Sequence, residues 1–388
     1  MAEDANSSAV AASRKTPLRE LALLFLRLGI TAFGGPAAHV SMMESEIVRR
    51  RSWISPERFL DMFGAASLIP GPSSSELAIY IGYEQAGLQG LVVAGICFIL
   101  PAALITGVLG WAYVHFGMLP AAGGVLYGIK PVIIAIITQA VLNLVPKAAK
   151  SRLLWGVGIL ALFASIAGLD PVLVLLAAGF LGMAASRMLN TPHGGATGAA
   201  FFGPVAIVAS SAVPVTLLGV FLFFLKIGAV VFGSGYVLLA FLRVDLVDHW
   251  HWLTDAQLLD AVAVGQFTPG PVFTTATFIG YLLAGVPGAV IATVGIFLPG
   301  FLLVAVSRPL VARVRRSPKA GAFLDGVNIA SLALMAWVTV QLGKAALIDT
   351  PTALLAIIAA FLIFRWKLNT AWLVGGGAVV GLLAQGLR

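Results

Sequence analysis

The tripeptide Pro-Gly-Pro occurs twice, at 70–72 and 269–271, each time inside a stretch otherwise apolar enough for a lipid bilayer. Neither proline has an amide hydrogen and the glycine turns at little cost, so no regular helix runs through either site. In hydrocarbon every backbone polar group needs a partner, and a broken helix survives only where protein buries it or it lines a wet cavity. The run Leu68-Ile-Pro-Gly-Pro-Ser-Ser-Ser-Glu76 reads as the end of one half-helix and the start of another, with the serines and Glu76 in the new first turn. Its recurrence as Thr268-Pro-Gly-Pro-Val272 predicts a site built from half-helices, where a single kink would be an accident of packing.

Of the 388 residues 60% are hydrophobic and 10% charged, with a mean hydropathy of +1.00. Soluble domains carry about 25% charged residues, so the expected fold class is an all-α polytopic membrane protein in contact with the lipid bilayer. The net charge of +8 then reflects basic cytoplasmic loops rather than a nucleic-acid surface. The single Cys97 excludes an intrachain disulfide and a multi-cysteine metal site. The five histidines form no metal motif, and there is no Walker sequence or nucleophile elbow. Neither an enzyme nor direct use of ATP is expected, and no cofactor or metal.

Apolar segments run roughly 18–41, 59–83, 88–115, 119–145, 153–168 and 171–186, then 258–281, 287–307, 321–343, 352–364 and 370–386. Between them, 198–241 holds Lys226 as its only charge and is long enough for two spans. The second half repeats the first. At an offset of 199, Arg27 matches Lys226, Phe33-Gly34 matches Phe232-Gly233, Trp53 matches Trp252 and Asp61 matches Asp260. After one residue is lost, Ile81-Gly82-Tyr83 matches Ile279-Gly280-Tyr281 and Leu100-Pro101 matches Leu298-Pro299. The expected organisation is a polar tail at 1–17, a transmembrane repeat at 18–187, a linker with an extra transmembrane segment at 188–217 and a second repeat at 218–388. The loop 44–58 carries Arg49, Arg50, Arg51 and Arg58, whereas its twin carries Arg243 with Asp245, Asp248 and Asp255. The loop after Phe116 has no Lys or Arg, whereas its twin has Arg308, Arg313, Arg315, Arg316 and Lys319. Equivalent loops therefore belong on opposite faces, and the repeats are inverted. With basic residues at both ends of 18–41, crossing and re-entrant paths both fit that segment and 59–83.

Taken together in order, Thr31-Ala-Phe-Gly-Gly-Pro36, Pro70-Gly-Pro72 with Ile81-Gly-Tyr83, Phe232-Gly-Ser-Gly-Tyr236 and Gln266-Phe-Thr-Pro-Gly-Pro271 resemble the chromate ion transporter family in its long form, with two homologous halves. The resemblance covers nearly the whole chain. It implies a bacterial inner-membrane carrier exporting chromate, with sulfate as a related oxyanion. A passive anion channel, or a sulfate carrier with no role in chromate resistance, is the alternative. Nothing in the sequence fixes an oligomeric state, and a homodimer is compatible with it.

The candidate substrate groups follow from the breaks and the buried charges. Arg27 and Lys226 share one repeat position inside apolar runs, where a cation costs about 2.5–3.5 kcal/mol. They are read as a pair facing a dianion, against snorkelling or an ion pair with an acid. Gly34, Gly35, Gly71, Gly233, Gly235 and Gly270 mark breaks where helix N-termini offer amides to an oxyanion, unless they serve only close packing. Ser73, Ser74, Thr274 and Thr275 are hydrogen-bond donors beside them. Glu76 is read as a proton-coupling residue, against a structural role in the helix first turn. Asp61 and Asp260 read as caps or interface residues, and Lys130 with Asp325 suggests a charge pair between the repeats.

Overall fold

The computed structural model describes residues 16–32, 35–117, 120–189, 214–231, 237–315, 317–366, 368 and 370–386. The extra segment expected near 199–216 lies almost wholly outside them, as do Gly34, Gly233 and Gly235. The described elements are helical throughout and fall into two series of seven. The first comprises α1 (Leu18–Thr31), α2 (Gly35–Glu44), α3 (Pro56–Ala66), α4 (Ser73–Phe116), α5 (Pro120–Ala148), α6 (Arg152–Ile166) and α7 (Pro171–Leu189). The second comprises α8 (Leu217–Val230), α9 (Leu238–Leu242), α10 (Asp255–Phe267), α11 (Thr275–Arg315), α12 (Pro318–Ala346), α13 (Thr350–Trp366) and α14 (Thr370–Gly386). α4, α5, α11 and α12 are each long and apolar enough to cross a bilayer.

The repeat extends to local detail. α2 and α9 each run on into a π-helical turn, Ser45–Arg50 and Arg243–His249. Ser55 and Thr254 cap α3 and α10 by accepting an amide hydrogen three residues on. α4 breaks at Ala86 and Gly87 (φ 63°, ψ −148°), and α11 breaks at Ala284 and Gly285 with nearly the same angles. That region of backbone space suits glycine almost exclusively.

These breaks are hairpins. A Cβ added to Gly82 would run into the carbonyl of Gly90, and one on Gly90 into the carbonyl of Gly82. Residues eight apart would be about 12 Å apart in a straight helix, so 73–85 folds back along 88–116. Gly280 and Gly288 do the same in α11. The segments before them also turn back. Thr16 donates to Gln85 at 2.7 Å, Arg51 pairs with Glu20, and Arg58 pairs with Glu84 at 3.0 Å. The start of α1, the loop after the π-turn, the start of α3 and the tip of the α4 hairpin therefore lie together. The chain doubles back twice between 16 and 85, and 88–116 runs on from the second of these turns. In the second repeat Gly219 lies beside Trp252, and Phe223 packs on Trp250 at 5.1 Å. In both repeats these segments fold back on themselves.

Equivalent helices of the two repeats meet antiparallel. Gly95 of α4 lies on Phe301 of α11, and Gly110, further along, lies on Tyr281. Lys150, just past α5, pairs with Asp325 near the start of α12, and Tyr127 near the start of α5 donates to Asp349 just past α12. Antiparallel partners place the two-fold axis across the helices, not along them, so the repeats are inverted. The last helices of each repeat are exchanged: α6 and α7 pack on α12, while α13 and α14 pack on α5. Glycines allow this. Gly124 and Gly128 face Gly377 and Gly381 so closely that a Cβ on any of them would meet the opposing helix.

In a Cys97→Ala background, cysteines at Arg50 and Glu84 should label from one face of the membrane and a cysteine at Asp248 from the other. Labelling of all three from one face would exclude the inverted arrangement.

Candidate functional site

The ends of α1 and α8 and the two Pro-Gly-Pro breaks meet between the repeats. α1 ends at Ala32 and α8 at Val231, each with extended backbone and a carbonyl past its last helical turn. α3 and α10 end ahead of the two Pro-Gly-Pro turns, where Gly71 (φ 123°) and Gly270 (φ 87°) have left-handed backbone. The Gly71 amide donates to the Val231 carbonyl at 2.7 Å, and the Gly270 amide donates to the Ala32 carbonyl at 2.9 Å. Both donors and both acceptors are repeat equivalents, so the contact is made twice about the two-fold axis. Each repeat supplies the partner that the other's broken helix lacks.

This changes what the breaks can offer. The Gly71 and Gly270 amides, read from sequence as bare donors, are taken by carbonyls. Each returning segment also brings a carbonyl end beside its amide end, so the dipoles of four N-termini do not act alone. The first turns of the half-helices that follow, at Ser73 and Val272, remain at the crossing.

Ser74, Ser75 and Glu76 are buried in that first turn. Ser75 Oγ and Glu76 Oε2 are buried without a hydrogen-bond partner. The Glu76 carboxylate lies where a Cβ on Gly71 or on Gly300 of α11 would stand, so two glycines make room for it. The corresponding turn of the other repeat is neutral: Thr274 donates to the Pro271 carbonyl and Thr275 to the Val272 carbonyl, both at 2.8 Å.

His39 had no place in the sequence reading, because a lone histidine in an apolar run carries no motif. It is 1% exposed in α2. Its Nε2 lies 3.0 Å from the Ala32 carbonyl and its Nδ1 lies 3.2 Å from Ser74 Oγ. A carbonyl only accepts, so Nε2 carries the hydrogen and Nδ1 accepts from Ser74. The Ala32 carbonyl thus takes hydrogen bonds from His39 and Gly270, linking three broken segments. The repeat equivalent of His39 is Leu238.

Arg27 and Lys226 both have acidic partners. Arg27 lies 3.8 Å from Glu46, and Lys226 lies 2.9 Å from Asp245. Glu46 and Asp245 are also repeat equivalents, so both ion pairs belong to the shared scaffold and hold each cation within its own repeat. Lys130 does not pair with Asp325. It lies 3.1 Å from Asp260 across the repeat interface, and Asp325 pairs with Lys150 instead. Asp260 is not a cap, because Thr254 fills that role for α10. Gly35 opens α2 on the return side of the first break.

Broken helices meeting on a two-fold axis between inverted repeats define a membrane transporter. The chain belongs to the chromate transporter family, whose model matches it twice, at 19–183 and 218–382. It is 37% identical over 383 residues to the chromate transport protein of Cupriavidus metallidurans, covering 95% of this chain and 94% of that one. It is 37% identical to the probable chromate transport protein of Synechococcus elongatus, with 91% of each chain covered. Its identity to the chromate transport protein of Pseudomonas aeruginosa is 33%, covering 100% of this chain and 94% of the relative. No solved structure matches it.

His39→Leu, which installs the residue of the other repeat, should lower the thermal unfolding temperature in detergent. The cost should be about 1–3 kcal/mol, that of leaving a buried acceptor short of a donor. An unchanged unfolding temperature would mean that His39 does not hold the breaks together.

Proposed function

We propose that the chain is a secondary carrier that exports chromate across the bacterial inner membrane and so confers chromate resistance, with sulfate as a competing substrate. The observation that carries the reading is the pair of reciprocal hydrogen bonds, Gly71 to Val231 and Gly270 to Ala32. They bring the half-helix starts at Ser73 and Val272 to one point between the two repeats. The names of the three relatives support chromate as the substrate.

In this reading the oxyanion binds at the crossing. Ser73 supplies a hydroxyl there, Ser74 and Thr274 do so by giving up His39 Nδ1 and the Pro271 carbonyl, and the backbone at Gly35, Gly71 and Gly270 shapes the cradle, with Gly34, Gly233 and Gly235 as further candidates from the sequence. Arg27 lies five residues ahead of Ala32 and Lys226 five ahead of Val231, within about 8 Å along a helix. They supply positive charge as the dianion replaces Glu46 and Asp245 as their partner. Arg binds an oxyanion through two parallel hydrogen bonds, whereas Lys acts as a point charge. Glu76 couples the cycle. Ionised, it repels an anion from the first turn of its half-helix, and a bound proton removes that repulsion. The basic 44–58 and 308–319 loops face the cytoplasm, and 18–50 and 56–85 re-enter from that side.

Proteoliposomes loaded with chromate should build a gradient when a proton gradient is imposed. Flux that only ever runs downhill would identify a channel. Arg27→Gln and Lys226→Gln should each weaken binding by about 1.5–3 kcal/mol, the range for a hydrogen bond to a charged group. Wild-type affinity in both folded variants would remove these cations from the site.

A further inference from the structure

We infer that Lys130 is a further oxyanion-binding cation, on the approach to the crossing from the face that carries the tips of the second repeat's hairpins, and that Asp260 is its resident counter-ion, which the substrate displaces. The inference rests on the oxyanion reading above and adds a site to it.

Lys130 belongs to α5 of the first repeat and Asp260 to α10 of the second, and their charged atoms are 3.1 Å apart. The other carboxylate oxygen of Asp260 accepts from the Tyr113 hydroxyl at 2.9 Å. Tyr113 stacks edge-on against Phe278, 5.4 Å away on the half-helix arm that leaves the crossing at Thr275. Phe278 is three residues into that arm, about 5 Å along it. The pair therefore stands beside the crossing, between it and the membrane face.

A packing role alone does not account for these groups. The repeat equivalents of Lys130, Tyr113 and Asp260 are Asn328, Val311 and Asp61. The other repeat builds the corresponding helices with the uncharged Asn328 where Lys130 stands, so this pair is not made there between the equivalent residues. Paired charges at depth often stabilise no more than an apolar replacement does, and losing one partner is costly. A pair between the repeats that is not duplicated at the equivalent positions, kept at that cost, is accounted for by exchange of partners.

The two ends of the pair differ in access. Lys130 keeps 19% of its side chain exposed and Asp260 keeps 4%. Lys130 is thus the more accessible side chain of the pair, and its ammonium brings three donor hydrogens with no fixed geometry. At equal distance a dianion attracts it about twice as strongly as a carboxylate does. Chromate arriving from that face takes Lys130 from Asp260, and Tyr113 keeps the released carboxylate in place. When the anion moves on, the ion pair closes behind it and spans the repeats again.

The test is equilibrium binding of chromate, sulfate and molybdate to the purified full-length protein, with thermal unfolding followed in parallel. Failure of the wild type to bind any of the three would overturn the oxyanion reading and this site with it. Given wild-type binding, Lys130→Gln should raise the chromate Kd at least tenfold. Tyr113→Phe keeps every charge but loosens Asp260, and should lower the Kd several-fold. A purely structural pair would leave the Kd of both variants at the wild-type value while lowering their unfolding temperatures, and that result would overturn the inference alone. Should Lys130→Gln fail to fold, Tyr113→Phe decides: a wild-type Kd overturns the site, and a lowered one supports it.

Discussion

Two hydrogen bonds, Gly71 to Val231 and Gly270 to Ala32, carry the arrangement. A carbonyl past the last turn of a helix and an amide inside a Pro-Gly-Pro turn are both orphans, and hydrocarbon gives them no water. Neither repeat satisfies its own. The inverted two-fold axis places each orphan donor beside the equivalent orphan acceptor of the other repeat, so one symmetry operation solves the problem twice. The exchange of α6 and α7 for α13 and α14 then wraps each long central helix in the other repeat's terminal pair. The repeats interlock at their ends and meet at their breaks.

On this symmetric backbone the chemistry is uneven. Arg27–Glu46 and Lys226–Asp245 are made in both repeats. Glu76, His39 and the Lys130–Asp260–Tyr113 network occur once each among the described residues, against threonine, Leu238 and Asn328 in the other repeat. A carrier whose two halves were chemically identical would bind equally well open to either face. Groups placed on one side of the axis bias the two states, because a ligand shifts an equilibrium only through a difference in affinity.

Much of this was legible in the sequence. The paired Pro-Gly-Pro turns, the matched tryptophans and the opposed charges of equivalent loops gave the helical class, the duplication and its inversion, because Gly, Pro, Trp and Arg each have few physical reasons to recur at one spacing. What apolar segments pack against was not legible. α6 and α13 are hydrophobic on every side, so no stripe announced that they cross to the other repeat. The partner of Lys130 was misjudged for a similar reason. Asp325 is near in the repeat register, but contact follows the fold, and α10 carries Asp260 to Lys130 instead. His39 was silent because its role depends on the Ala32 carbonyl, a backbone group that every residue has.

Chromium offers the most direct test of the central claim, since it is the heaviest atom in a protein–chromate complex and scatters anomalously. With chromate bound, a chromium peak should appear at the crossing, within hydrogen-bonding reach of the first turn at Ser73 and between the Gly71 and Gly270 turns. Chromium found only at the membrane faces, with that first turn unoccupied, would contradict the account.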